Sequence, residues 1–230
     1  MAQAILEGDP PIEITLRRSA RARRISLRVS GLDGRVTLSL PNGVSSAEAL
    51  AFAKEKSDWI RRHLAKQVSH LVPEIGGTIL WRGQETEIQA APVKRAKISG
   101  SRILVPADPK MTSARIKACF KLQARHDLGL ASKKYADLLG LELRKITLRD
   151  TRSRWGSCSS RGDLNYSWRL VMAPPDVLDY VAAHEVSHLL EMNHSPAYWR
   201  IVASVYPDYA APRRWLRENG ALLHRYRFDD

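Results

Sequence analysis

Three histidines and a glutamate stand close together late in this 230-residue chain, in the run His184-Glu185-Val186-Ser187-His188-Leu189-Leu190-Glu191-Met192-Asn193-His194. The run contains H-E-x-x-H and a third histidine six positions on. On an α-helix His184 and His188 are i and i+4 and share one face, roughly 5–6 Å apart at Cβ. That suits two Zn–N bonds of about 2.0–2.1 Å. Glu185 falls one position round the helix, beside an ion and not on it, where it can hold and deprotonate a zinc-held water. An unbroken helix would carry His194 roughly 600° past His188, about 120° away from the metal. The helix must therefore stop between them. Asn193 tolerates the left-handed conformation that ends helices, and Ser195-Pro196 pairs a good N-cap with a favoured first helical residue. His194 is then expected in the turn between two helices, as the third ligand. Asp208 and Glu218 are the carboxylates that would replace it. With 7 His in the chain, H-E-x-x-H arises by composition in roughly 0.01 of such chains, and the added histidine lowers that to about 0.0003.

The length allows a proper core and one or two domains. Hydrophobic content of 44% and charged content of 27% are those of a soluble globular protein. No run approaches 18 apolar residues, so no membrane span is expected, and the N-terminus lacks the apolar segment of a secretory signal. Cys119 and Cys158 form no C-x-x-C pair, which fits a reducing compartment. The net charge is +13. It is spread, with 18 basic and 11 acidic residues up to residue 110, then 19 and 13. The densest piece, Arg17 to Arg35, holds seven arginines against Asp33 alone. Without aromatic interleaving it is only a weak pointer to nucleic acid.

The elements that must position the histidines follow from the chain in order. Ile12–Arg17, Ile25–Val29 and Val36–Leu40 alternate apolar and polar, with Gly31-Leu32-Asp33-Gly34 as a hairpin turn, so a small antiparallel sheet is expected. Ser45 with Glu48 opens a helix to about Val68. Short strands return around 78–81, 85–90, 97–99 and 103–105, and Pro106-Ala107-Asp108-Pro109 marks the clearest boundary. The reading is α+β: an N-terminal antiparallel β-rich region with a helix over 1–110, then a metallopeptidase-like domain over 111–230. The second part reads as a long helix from Thr112 closed by Gly140, a strand at Lys145–Arg149, and a polar loop through Arg154-Trp155-Gly156-Ser157-Cys158. A strand at Asp163–Met172, the helix opened by Pro174-Pro175, and two more helices complete it.

That order resembles a zincin, whose last strand runs along the cleft and pairs with an extended peptide. Leu164–Leu170 would take that role here, with Asn165 and Trp168 touching substrate. The resemblance narrows with Arg154-Trp155-Gly156-Ser157-Cys158-Ser159, Leu164-Asn165-Tyr166-Ser167-Trp168-Arg169-Leu170, Ala173-Pro174, and His184-Glu185 through His194-Ser195 to Trp199. Together these are similar to the YgjP-like metallopeptidases, small bacterial zincins related to the SprT-like group. The resemblance implies a cytoplasmic, zinc-dependent peptidase acting on peptides or proteins, with His184, His188 and His194 as ligands and Glu185 as base. It also motivates an alternative: a SprT-like protease acting on DNA-bound proteins, or a DNA binder with a structural metal. The ligand spacing equals that of metzincins, but Glu191 stands where those enzymes have glycine and no Met-turn follows. Tyr198, Tyr206, Tyr209 and Arg154 are candidates to stabilise an oxyanion, and Glu191 and Asp208 to support the ligands.

Overall fold

The computed structural model describes residues 2–31, 33–65 and 70–228, and its architecture is mixed α+β. The chain divides into two compact units, Met1–Ser69 and His70–Asp230. The first unit begins with strands β1 (Ala2–Leu6), β2 (Ile12–Arg18), β3 (Ser26–Val29) and β4 (Val36–Leu40). They lie in the order β1-β2-β4-β3. Alternation buries Ile12, Ile14, Leu16, Val36, Leu38 and Leu40, as expected. The sheet is not wholly antiparallel, however: β2 and β4 run parallel. The β3–β4 hairpin, turning through Gly34 at φ +66°, puts β3 on the outside, and the inner edge of β4 meets β2 in the same direction. Two helices cover this sheet's apolar face, α1 (Ser46–Glu55) and α2 (Ser57–Leu64), burying Ala49, Ala53 and Ile60. Ser45 caps α1 by accepting the Glu48 N–H at 3.1 Å. The single expected helix breaks at Lys56 (φ −95°, ψ 12°), and its expected end at Val68 lies outside the described residues.

In the second unit β5 (Thr78–Trp81), β6 (Gln84–Ala90), β7 (Lys97–Ser99) and β8 (Arg102–Val105) form a sheet in the order β5-β6-β8-β7. Its β6–β8 pair is again parallel and its outer pairs antiparallel. The expected boundary at residue 110 does not coincide with the division into units. Ile79, Ile88, Ile103 and Val105 share one core with Ile116 and Phe120 of the helix that follows, all 0% exposed. That helix, α3 (Thr112–Leu138), buries a stripe at 116, 120, 124, 128 and 135, and the chain leaves it through Gly140 at φ +65°.

Behind the site stand β9 (Ile146–Arg149), β10 (Gly156–Cys158) and β11 (Leu164–Ser167), ordered β10-β11-β9. The strand expected to run to Met172 ends at Ser167. Trp168–Met172 forms a 3-10 turn, opened by Ser167 Oγ accepting the Arg169 N–H at 3.4 Å. All five of its residues are buried. Arg169 is held inside by Asp150 (Nε–Oδ1 2.7 Å) and by the carbonyls of Leu223 and Tyr226 at 2.9 and 3.0 Å. Three helices follow: α4 (Pro175–Ser187), α5 (Pro196–Val205) and α6 (Ala210–Asn219). No helix among the described residues is long and apolar enough to cross a membrane.

Candidate metal centre

Helix α4 starts at Pro175, whose missing N–H costs nothing at a first helical position, and buries Val177, Val181, Ala182 and Val186 against the core. Its last turns carry His184 and His188, with ring centroids 5.0 Å apart. The helix ends at His188 (φ −66°, ψ −15°), five residues before the expected stop at Asn193. Asn193 is not left-handed; among the described residues Arg82 is the only non-glycine with positive φ. Since the helix has already ended, Asn193 works through its side chain. Its Nδ2 donates to Glu191 Oε1 at 2.6 Å, and its Oδ1 accepts the Ser195 N–H at 2.9 Å. That turn returns His194 to the site, and Ser195 caps α5 by accepting the Tyr198 N–H.

The three imidazoles each offer one nitrogen within 4.8 Å of the others. Two ligands of a tetrahedral ion at 2.0–2.1 Å lie about 3.3 Å apart, and the Nε2 atoms of His184 and His194 are separated by 3.2 Å. His188 Nδ1 is 2.9 Å from the Glu191 carbonyl oxygen, which fixes that nitrogen as the donor and leaves Nε2 for a cation. Burial, with His188, His194 and Arg213 adding to it, pushes His184 down to about 3, and burial also lowers His188. Neutral imidazoles keep the lone pairs that a metal needs. These residues fit a divalent metal.

The rings are braced from behind. Tyr198 is fully buried, stacks on His188 at 4.3 Å and donates its hydroxyl to the His184 carbonyl at 2.9 Å. Trp199 stands 5.9 Å from the rings of both His184 and His194.

Glu185 is 5% exposed and packs against β10. A Cβ on Gly156 would fall 2.6 Å from Glu185 Cγ and 2.7 Å from Cδ, so only glycine allows this approach. Burial pushes the carboxyl up to about 8, against the opposing pull of Arg154 and of a hydrogen bond from the Cys158 backbone. The triad and Glu185 line one cavity of about 410 Å³ with Arg154, Gly156, Tyr180 and Arg213.

Other expected site residues fall elsewhere. Strand β11 lies between β10 and β9, so both its edges are taken and it cannot pair with a peptide. Among the described residues, the strand with an unpaired edge at the cavity is β10. Trp168 is 0% exposed, packed edge-on to Phe228 and under the Arg169 guanidinium, and offers substrate no surface. Asn165 pairs with Ser157 across the sheet and lines a neighbouring cavity of about 240 Å³ with Arg149 and Arg154. The Cys158 thiol is pushed up to about 11, first by burial and then by Glu185 and Asp163, so it is protonated near neutrality. Tyr206 donates to the Asp176 carbonyl and Tyr209 stacks on Trp199. Glu191 accepts from His188 Nδ1 with its backbone carbonyl, and Asp208 is exposed. Gly156 lies in a run that carries the family resemblance but receives no role there, and motif and spacing single out neither Tyr180 nor Arg213. Of these only Tyr180 carries a signal: it is i−4 to His184, with its hydroxyl 3.5 Å from His184 Nδ1.

A family model described as the YgjP-like metallopeptidase domain matches residues 23–219. Among solved structures the chain is similar to the metallopeptidase zymogen of Pyrococcus abyssi abylysin, at 21% identity, covering 41% of this chain and 94% of that one with a TM-score of 0.37. No curated protein matches.

Proposed function

The chain belongs to the YgjP-like metallopeptidase family, and from that premise we propose that it hydrolyses peptide bonds at His184, His188 and His194 with zinc as the ion and Glu185 as general base. The observation that carries the reading is three imidazole nitrogens within 4.8 Å of one another beside a buried carboxylate in one cavity. Zinc held there supplies Lewis acidity, lowering the pKa of water and polarising a carbonyl. The chain's own groups do the rest. Glu185, whose burial strengthens its hold on a proton, takes one from the attacking water and delivers it to the leaving amine. The Cys158 N–H and the close approach of Gly156 fix the orientation of that carboxylate. The unpaired edge of β10 supplies backbone groups that bind an extended peptide beside Glu185. The free thiols of Cys119 and Cys158 support action in the cytoplasm.

Elemental analysis and cleavage of a denatured protein pool, for wild type and Glu185→Gln, test the proposal together. One zinc per chain in both, with cleavage by the wild type alone, is the expected result. Zinc in both and cleavage by neither would leave a structural metal site. Full zinc occupancy in His194→Ala would remove His194 from the ligand set.

A further inference from the structure

Arg213 enters the metal cavity from α6, and nothing in the hydrolytic scheme uses it. Its guanidinium carbon lies 4.5 Å from the Trp199 ring, and Trp199 lies 5.9 Å from both His184 and His194. The stack pre-orders the guanidinium next to the metal centre. A stacked guanidinium keeps its in-plane N–H donors for an oxygen ligand. Among the described residues the arginine ion pairs are made by Arg35, Arg82, Arg115, Arg169 and Arg217; Arg213 makes none, and neither does Arg154.

The charge on the cavity wall is therefore lopsided. Two unpaired arginines face one carboxylate, Glu185, which is buried against β10. The arginines also stand apart. Arg154 lies two residues before β10, the strand against which Glu185 packs, whereas Arg213 sits on α6 over Trp199. Arg213 therefore reaches the cavity from its Trp199 side. A metal adds to the positive potential, and a cleft lined by one sign of charge concentrates ligands of the other.

We propose that Arg213 is a specificity residue that selects peptides bearing a carboxylate close to the scissile bond, which it grips from the Trp199 side of the metal centre. The proposal rests on the peptidase reading of this site. A planar guanidinium takes a carboxylate by two parallel hydrogen bonds, which a neutral amide of the same shape cannot match. A basic side chain at that position meets repulsion. The carboxylate comes either from an internal Asp or Glu or from the end of the substrate chain.

Four fluorescent peptides separate these cases. Three are end-blocked and carry Glu, Gln or Lys at one position; the fourth carries Gln and a free C-terminal carboxylate. Binding is measured to zinc-loaded Glu185→Gln protein, which holds peptide without turnover, and cleavage is measured with the wild type. One of the two carboxylate peptides is expected to bind roughly tenfold more tightly than the blocked Gln peptide. Which one does so identifies the source. Adding Arg213→Gln should bring that ratio to about one, and Arg213→Glu should turn the preference toward Lys. Equal binding of all four peptides, or a preference that survives Arg213→Gln, would overturn the assignment. So would a uniform loss of cleavage across the four in Arg213→Gln, since Arg213 would then serve the reacting carbonyl. If the wild type cleaves none of them while the Arg213-dependent binding ratio holds, the peptidase reading fails and the carboxylate site stands.

Discussion

Glu185 and His184 are neighbours in sequence, yet burial moves their proton affinities in opposite senses, and each leaves its own mark on stability. In the metal-free protein the unfolded Glu185 carboxyl ionises near 4.5, while the folded one keeps its proton until about 8. The folded state therefore binds the extra proton between those values, and its stability falls as pH rises through that window. His184 works the other way. Its folded pKa is about 3 against 6.5 unfolded, so stability is lost as pH falls from 6.5 toward 3. Metal-free Glu185→Gln, which carries no charge to bury, is expected to melt with the wild type at pH 5 and roughly 5 °C above it at pH 9. Thermal melts across pH 5–9 check this; a constant difference would mean that the Glu185 carboxyl is not held protonated. At this scale the triad and Glu185 are legible in the sequence because helical spacing puts i and i+4 together and turn chemistry brings His194 back. Arg213 and Gly156 are not. They reach the cavity from a helix and a strand remote from the motif in the chain, and local spacing carries no trace of that meeting.

Among the elements, β10 has the narrowest tolerance. Three residues long, it forms the cavity wall with one edge unpaired, and Gly156 lets it lie directly on the Glu185 side chain. Gly156→Ala places a methyl where that side chain now is. Displacing a base by about 1 Å costs on the order of 10²-fold in rate. A loss of that size in kcat is expected, with zinc stoichiometry unchanged, and steady-state kinetics with elemental analysis measure both. Unaltered kcat would mean that β10 does not hold the base in place. In sequence the cleft strand reads as Leu164–Leu170, because Leu164, Tyr166, Trp168 and Leu170 alternate with Asn165, Ser167 and Arg169. In the fold that run is a central strand followed by a fully buried 3-10 turn. The alternation promises one wet face, but Ser167 and Arg169 are buried too, with Arg169 satisfied inside by Asp150 and two carbonyls, and local spacing does not reveal those partners. Trp168 reads as available to substrate for the same reason.

At the scale of the whole molecule, the two four-stranded sheets share one strand order and one pattern of pairing, β1-β2-β4-β3 and β5-β6-β8-β7, although the sequence shows no internal repeat. Alternating burial needs only apolar residues at every second position, so the same topology tolerates unrelated side chains. The boundary expected from sequence falls at the proline turn after β8. A turn marks where a strand stops, not where a core stops, and the core of the second sheet continues into α3.

The net charge of +13 is also a property of the whole molecule, and its arrangement decides what it can bind. Of the seven arginines between Arg17 and Arg35, Arg18 is held by the carbonyls of Asn42 and Val44, and Arg35 lies 3.9 Å from Asp33. The other five are exposed. The strands of that sheet carry no aromatic residue, so they lack the rings on which bases stack. Exposed arginines without such a platform attract phosphate but do not read bases. Duplex DNA is therefore expected to bind weakly and without sequence preference, with Kd on the order of 10⁻⁴–10⁻⁶ M at physiological salt. If five phosphates are neutralised, log K falls against log salt with a slope of about −4.5. Fluorescence anisotropy on two unrelated duplexes from 50 to 300 mM salt, with and without chelator, measures all three properties. Equal and steeply salt-dependent curves, indifferent to chelation, would make the charge a general property of a basic protein. Nanomolar affinity that persists at 300 mM salt, or a preference for one duplex, would instead make nucleic acid a specific partner and redirect the search for substrates toward DNA-bound proteins.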